Sequence, residues 1–197
     1  APHDRPYFLF VGRLEKIKGL QDVLPHFAEN APADLLVAGA GDYEPQLRAM
    51  AAGLPRVRFL GKRSLEQLRS LYRHALAVVV PSVCYETFGI ILLEAFRERT
   101  PVIARAIGPF TEIVQGSGGG LLFETADELR AALRRFESDA PLRRTLGESG
   151  RESLERRWTE SVVLAPYFDL IRRIAQSKGL RRTADALDDL SEALQCT

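Results

Sequence analysis

Short apolar runs alternate with amphipathic stretches along almost the whole chain. "YFLFV" (7–11), "DLLVAG" (34–39), "VRFLG" (57–61), "LAVVVP" (76–81), "PVIA" (101–104) and "GGLLFE" (119–124) are each four to six residues long. Their apolar residues run on without alternating, as strands covered on both faces require. Pro81 stops the fourth run, since proline cannot donate to a sheet ladder. Between the runs lie helical patterns: Leu20 to Asn30, Glu44 to Ala52, and a segment through His74. "ELRAALRRF" follows the sixth run, and two more helices are expected over about 141–157 and 160–176. Ser64 with Gln67, and Thr125 with Glu128, stand three residues apart ahead of two of these helices, the spacing of a capping box. This rhythm predicts an α/β fold: a doubly wound parallel sheet of about six strands. One domain is expected over 1–179, followed by a helical or disordered tail over 180–197, "LRRTADALDDLSEALQCT".

Composition narrows the partners. The chain has 197 residues, enough for one domain with a substantial core. Its 27 Lys and Arg are balanced by 26 Asp and Glu, leaving a net charge of +1 with no long run of either sign. Nothing there favours a nucleic acid or an anionic membrane as partner. Cys84 and Cys196 lie far apart and outside any C-x-x-C, so a disulfide framework is not expected and a reducing, cytoplasmic setting fits. No apolar stretch approaches the ~20 residues of a membrane span, and no signal peptide is evident. The chain opens at Ala1, and a strand follows almost at once, so it reads as a piece of a longer protein.

In open α/β sheets ligands bind beyond the carboxyl ends of the strands, in the loops that lead into helices. Three such loops carry candidate chemistry. In "VGRLEKIKG" (11–19), Gly12 permits a tight turn, and Arg13 and Lys18 follow; they suit a pyrophosphate, or are solvated surface charges. In "AGAGD" (38–42), a GxG allows close backbone approach but lacks the third glycine of the dinucleotide fingerprint, so a plain turn explains it as well. The third, "YETFGIILLEAF" (85–96), places Glu86 and Glu94 at the two ends of an apolar run. Thr87 is the expected N-cap of a helix beginning at Phe88-Gly89. The amides of Phe88, Gly89 and Ile90 would then offer an anion site, and Gly89 would leave room for a phosphate. Glu86 precedes that helix and can reach neutral hydroxyls. Glu94 lies among apolar neighbours and needs a bonding partner. Arg97, three residues on, would satisfy it without any function.

These segments resemble the family-4 glycosyltransferases of the GT-B fold. "PSVCYETFGIILLEA" is similar to the E-x7-E signature of that family, and "FLFVGRLEKIKGL" to its G-R-L-x-x-x-K-G opening. "VRFLGKRSLEQLRSLYRHALAVVVPS", "PVIARAIGPFTEIV" and "GGLLF" resemble the segments around them, in the same order, over residues 6 to about 176. The resemblance implies the Rossmann-like, donor-binding half of a retaining glycosyltransferase that transfers a hexose from a nucleoside-diphosphate sugar without a metal. It implies that Arg13, Lys18 and Glu86 carry catalysis, the two cations on the diphosphate and Glu86 on hydroxyls of the sugar. Gly12 and the amides around Thr87, Phe88, Gly89 and Ile90 would help bind the donor, and Glu94 would hold the ribose. The base would lie near Gly61, Lys62 and Arg63. The acceptor site would belong to an amino-terminal domain absent from this chain, leaving the isolated domain inactive. The segment "LAPYFDLIRRIA" would cross back to that domain, with Phe168, Leu170 and Ile171 exposed. Any membrane association of the full enzyme is not encoded here. Two segments depart from the family pattern. "RERTP" replaces a small residue and Gly before the fifth strand, and "GPFTE" replaces Gly-Gly-x-x-E while keeping Glu112. The altered loop leaves open a second reading, a catalytically silent nucleotide-binding or interaction module. A sugar-nucleotide epimerase is the third, against which the "GRLxxxKG" loop argues.

Overall fold

The structure, a computed structural model, describes residues 2–180 together with Ala186 and Leu190. The expected tail over 180–197 therefore lies almost wholly outside the described residues, as does Cys196. Two compact units are present, Ala1–Glu152 and Ser153–Thr197.

The first unit is built on six parallel strands: β1 (Tyr7–Val11), β2 (Asp34–Ala38), β3 (Val57–Gly61), β4 (Val78–Val80), β5 (Val102–Arg105) and β6 (Gly120–Phe123). Their order is β3-β2-β1-β4-β5-β6, and every neighbouring pair is parallel. The chain therefore winds outward from β1 in one direction as far as β3, then returns to the middle and winds the other way from β4. Helices α1 (Leu20–Val23), α2 (Glu44–Met50), α3 (Leu65–His74), α4 (Ile90–Arg97) and α5 (Pro109–Ser117) lie in the connections, and α6 (Ala126–Ser138) and the start of α7 (Ala140–Arg157) follow β6.

Alternation along β1 shows how both faces are covered. Phe8 and Phe10 join a buried cluster with Leu20 and Val23 of α1, Leu47 of α2 and Leu129, Leu133 and Phe136 of α6. Tyr7 and Leu9 point to the opposite face, where the Tyr7 hydroxyl donates to the Leu71 carbonyl of α3 at 2.8 Å. Covered on both sides, the central strands read as apolar runs, apart from Asp34 at the start of β2, whereas the edge strand β3 is only half-buried and carries the exposed Arg58.

Both capping boxes form. Ser64 Oγ accepts from the Gln67 amide and Gln67 Oε1 from the Ser64 amide; Thr125 and Glu128 reciprocate in the same way.

The helix expected over Leu20–Asn30 is shorter. α1 stops at Val23, and a 3-10 turn over Leu24–His26 replaces the rest. Pro25 lacks an N–H and its ring crowds the carbonyl four residues back, so an α-helix cannot run through it. The "GPFTE" segment after β5, read in the sequence as a loop, is the start of α5. Pro109 occupies its first turn, and Gly118 ends it at φ 61° with its amide bonded to the Val114 carbonyl. Those are ordinary start and stop signals.

The second unit contains the end of α7 and α8 (Glu160–Ser177), which carries Pro166 in its interior. Val162, Val163, Tyr167, Leu170 and Ile174 are exposed along α8, whereas Phe168 and Ile171 are half-buried. Among the described residues no helix is long and apolar enough to cross a membrane.

Candidate functional site

The strand order changes direction between β1 and β4, and the crevice beyond their carboxyl ends is where ligands bind in such sheets. A cleft of about 480 Å³ opens there. Three connections meet at it: β1 to α1, β4 to α4, and β5 to α5.

Two backbone contacts draw the first two loops together. The Val83 amide donates to the Ile17 carbonyl at 2.9 Å. Gly19 sits at φ 70°, and a Cβ there would fall 2.1 Å from the Pro81 carbonyl oxygen. Only glycine tolerates both the conformation and that approach. Lys18, one residue earlier, is thereby delivered to the β4 loop.

Lys18 Nζ donates to Glu86 Oε1 at 2.5 Å, and the buried Ser82 hydroxyl donates to the same oxygen at 3.0 Å. The side chains of Lys18 and Glu86 are only 17% and 24% exposed, so solvent screens the pair less than a surface bridge. Burial pushes the Glu86 carboxyl up. The hydrogen bonds from Lys18 and Ser82 and the charges of Lys18 and Arg13 outweigh it and hold the group below the usual carboxylate range. Cys84 Sγ stands 4.0 Å from the same oxygen, half-buried and free. Arg13 is exposed and bonds Glu15 at 2.6 Å. An exposed pair of this kind is worth little, so Arg13 can exchange Glu15 for another anion at small cost.

The start of α4 forms the floor of the cleft. Thr87 is not its cap: the helix begins at Ile90, Gly89 is the N-cap at φ 88°, and no side chain caps it. The first intrahelical bond runs from the Leu92 amide to the Gly89 carbonyl at 3.0 Å. The amides at the mouth of the helix are thus those of Gly89, Ile90 and Ile91, one residue later than the sequence suggested. Glycine at 89 serves a further purpose. A Cβ there would lie 2.8 Å from the ring of Phe110, which is fully buried at the first turn of α5 and also lines the cleft. The "GPFTE" segment therefore puts an aromatic wall against the cleft, while Glu112 on the same helix is exposed.

Glu94 reaches the cleft from the second turn of α4 and is half-buried. Its partner is Tyr72 of α3, whose hydroxyl donates to Glu94 Oε2 at 2.7 Å, and not Arg97, which is exposed. Burial first, then the bond to Glu94 and its charge, raise the Tyr72 phenol far above its ordinary value.

Gly12, Arg13, Lys18, Glu86, Thr87, Phe88, Gly89, Ile90 and Glu94 therefore share one cleft. Gly61, Lys62 and Arg63 do not line it. Gly61 ends β3 and Lys62 and Arg63 follow it at the sheet edge, two strands or about 10 Å from β1. Sequence reasoning missed Ser82 and Tyr72. A serine directly after a strand-ending proline was the available signal for the first. "AGAGD" proves to be structural: a Cβ on Gly39 would meet the Gly12 carbonyl at 1.8 Å, and one on Gly41 the Leu14 carbonyl at 2.4 Å. Its glycines let the β1 loop lie on the β2 loop, and the Leu14 amide bonds the Ala40 carbonyl. Arg105, at the end of β5, ties the assembly together, donating to the Pro81 carbonyl at 3.1 Å and to Asp22 at 2.6 Å. Among the described residues no group of three or more His, Cys, Asp or Glu is placed to hold a metal ion.

A doubly wound sheet with its cleft at the switch between β1 and β4 defines the class of Rossmann-like domains. Within that class, the chain belongs to the family described as "Glycosyl transferases group 1", whose model matches residues 1–153. The D-inositol 3-phosphate glycosyltransferase of Corynebacterium jeikeium is 39% identical over 155 residues, 71% of this chain and 37% of that protein. The structure of sucrose-phosphate synthase from Thermosynechococcus elongatus superposes with a TM-score of 0.78 at 31% identity, over 88% of this chain and 46% of that one. Anabaena HepE in complex with UDP-glucose has the same fold, with a TM-score of 0.72 at 20% identity over 95% of this chain and 49% of that one. The chain spans less than half the length of these relatives.

Proposed function

We propose that this chain is the donor-binding domain of a retaining, metal-independent glycosyltransferase. The full enzyme transfers a hexose from a nucleoside-diphosphate sugar to an acceptor held by an amino-terminal domain outside this chain. The observation that carries the reading is the convergence of Lys18, Glu86 and the start of α4 in one cleft, with Glu94 on the same helix. A diphosphate placed against that helix start meets oriented amides and the positive end of the helix dipole. Arg13 and Lys18 stabilise the charge that grows on it as the glycosidic bond breaks, the part of the reaction where fixed positive groups help most. Glu86, kept ionised by its neighbours, accepts hydrogen bonds from the sugar. Glu94 accepts from the ribose, and the base lies toward the backbone of Gly61–Arg63. The UDP-glucose bound by Anabaena HepE, which shares this fold, supports a nucleotide-sugar as ligand.

Calorimetric titration with UDP, GDP and ADP, and with their sugars, tests this reading. One diphosphate should bind, and Arg13→Ala should weaken it about tenfold, the value of one charge-assisted hydrogen bond. No binding by any of the three would overturn the assignment.

A further inference from the structure

We infer that Tyr72 is a positioning residue for nucleotide recognition: its hydroxyl holds the Glu94 carboxylate in the orientation that receives the ribose. The inference rests on the reading of Glu94 as the ribose acid, and it concerns how that acid is aimed.

Glu94 sits on a helix whose other inward side chains are apolar. Leu92, Ala95 and Phe96 are fully buried beside it. A carboxylate on a flexible two-carbon stem has several rotamers there, and some of them turn it away from the cleft. The Tyr72 bond to Oε2 at 2.7 Å selects one. Tyr72 is itself only 2% exposed, and its raised phenol keeps its proton and remains a donor. A carboxylate oxygen accepts more than one bond, so Oε1, together with the remaining lone pair of Oε2, is left to take two hydroxyls.

Tyr72 can do this only because it is held more firmly than Glu94. It lies in the last turn of α3, and buried hydroxyls from outside the helix bind its carbonyls: Tyr7 of β1 donates to the Leu71 carbonyl at 2.8 Å, and Thr100 donates at 2.7 Å to the Tyr72 carbonyl, which also accepts the Ala75 amide at 3.0 Å. Thr100 is 2% exposed and follows α4, with its amide on the Ala95 carbonyl at 2.9 Å. Arg73 adds a second side-chain link between the same helices, bonding Glu98 through Nε and Nη2 at 3.1 and 2.7 Å. Glu98, the C-cap of α4, is one turn beyond Glu94, and Tyr72 and Arg73 are adjacent on α3. The end of α3 is thus pinned to the central strand and to α4, and the Tyr72 phenol it carries is aimed at Glu94. Binding constellations keep their geometry when the supporting shell is locked in this way.

The test is a titration of the 197-residue chain and of Tyr72→Phe with the best-binding diphosphate among UDP, GDP and ADP. Each is also titrated with the 2′,3′-dideoxy form of that nucleotide. Tyr72→Phe keeps the ring and its packing and removes only the donor. It should weaken the ribonucleotide about tenfold, the scale of one hydrogen bond to a charged group, and leave the dideoxy form unchanged. In a Glu94→Ala background the same substitution should cost nothing further. Equal losses for both nucleotides would make Tyr72 merely structural and overturn the inference. Failure of the unsubstituted chain to bind any diphosphate would overturn the donor-site reading itself, and this inference with it.

Discussion

Two acids meet basic side chains at opposite ends of the same sheet, and only one of the two lines the cleft. Asp34 opens β2 at the amino-terminal edge. It is 1% exposed, and it takes His3 Nε2 at 2.8 Å, Arg5 Nε at 3.0 Å and Arg56 at 3.8 Å. Arg5 also bonds the carbonyls of Ala31 and Pro32, so the cluster ties the amino-terminal segment to the turn before β2. Glu86 follows β4 at the carboxyl edge, takes Lys18 and Ser82, and faces a cleft. An ion pair by itself therefore says nothing about function. What separates the two is what lies next to them: around Asp34 packed chain, around Glu86 an open crevice and the start of a helix.

The comparison breaks first under removal of Asp34. Asp34→Asn leaves Arg5 and Arg56 without their buried counter-charge, and it should cost about 3 kcal/mol of stability. The cleft lies at the other edge of the sheet, so nucleotide affinity of the folded protein should hold. Urea unfolding measures the first and calorimetry the second. A loss of binding in protein shown to be folded would mean that the two ends are coupled.

Glu86→Ala should do the reverse. Binding of the nucleotide-sugar should fall by an amount on the order of 30-fold, from hydrogen bonds to a charged acceptor. Binding of the bare nucleoside diphosphate and the urea midpoint should change far less. Equal losses for sugar-nucleotide and nucleotide would contradict the role given to Glu86.

The smallest effect is on pH. The folded pKa of Glu86 lies below its ordinary value of 4.5. Its contribution to stability is therefore complete above that value and disappears as pH falls through the lowered folded one. Acid unfolding of the unsubstituted chain should show a component below about pH 4.5 that Glu86→Gln removes, while the profile near neutrality stays the same.

Much of this molecule was legible from local chemistry. Strands covered on both faces are largely apolar, so six short apolar runs announced six strands. Ser64–Gln67 and Thr125–Glu128 cap helices through bonds spanning three residues, and such bonds need nothing beyond their own segment. The loops carrying Arg13, Lys18 and Glu86 were marked by glycines and by their positions after strands. Failures came where a neighbour far along the chain decided the outcome. Thr87 has a capping residue's chemistry, yet Gly89 became the cap, where a Cβ would collide with Phe110 twenty-one positions on. Arg97 was the nearest partner for Glu94 in sequence, but Tyr72, on a different helix, is its partner in space.

The sequence by itself determined the sheet, its parallel sense and the strand ends that carry polar chemistry, because periodicity and turn residues act over a few positions. Tertiary structure alone decided which of those polar groups meet. Lys18 and Glu86 are 68 residues apart, and they touch because Gly19 lets one loop lie against the Pro81 carbonyl of the other. Tyr72 and Glu94 are 22 apart, and they touch because hydroxyls of β1 and of Thr100, two residues before β5, fix the end of α3. No local rule encodes such contacts, because a hydrogen bond depends on distance and direction, and packing of the whole sheet sets both.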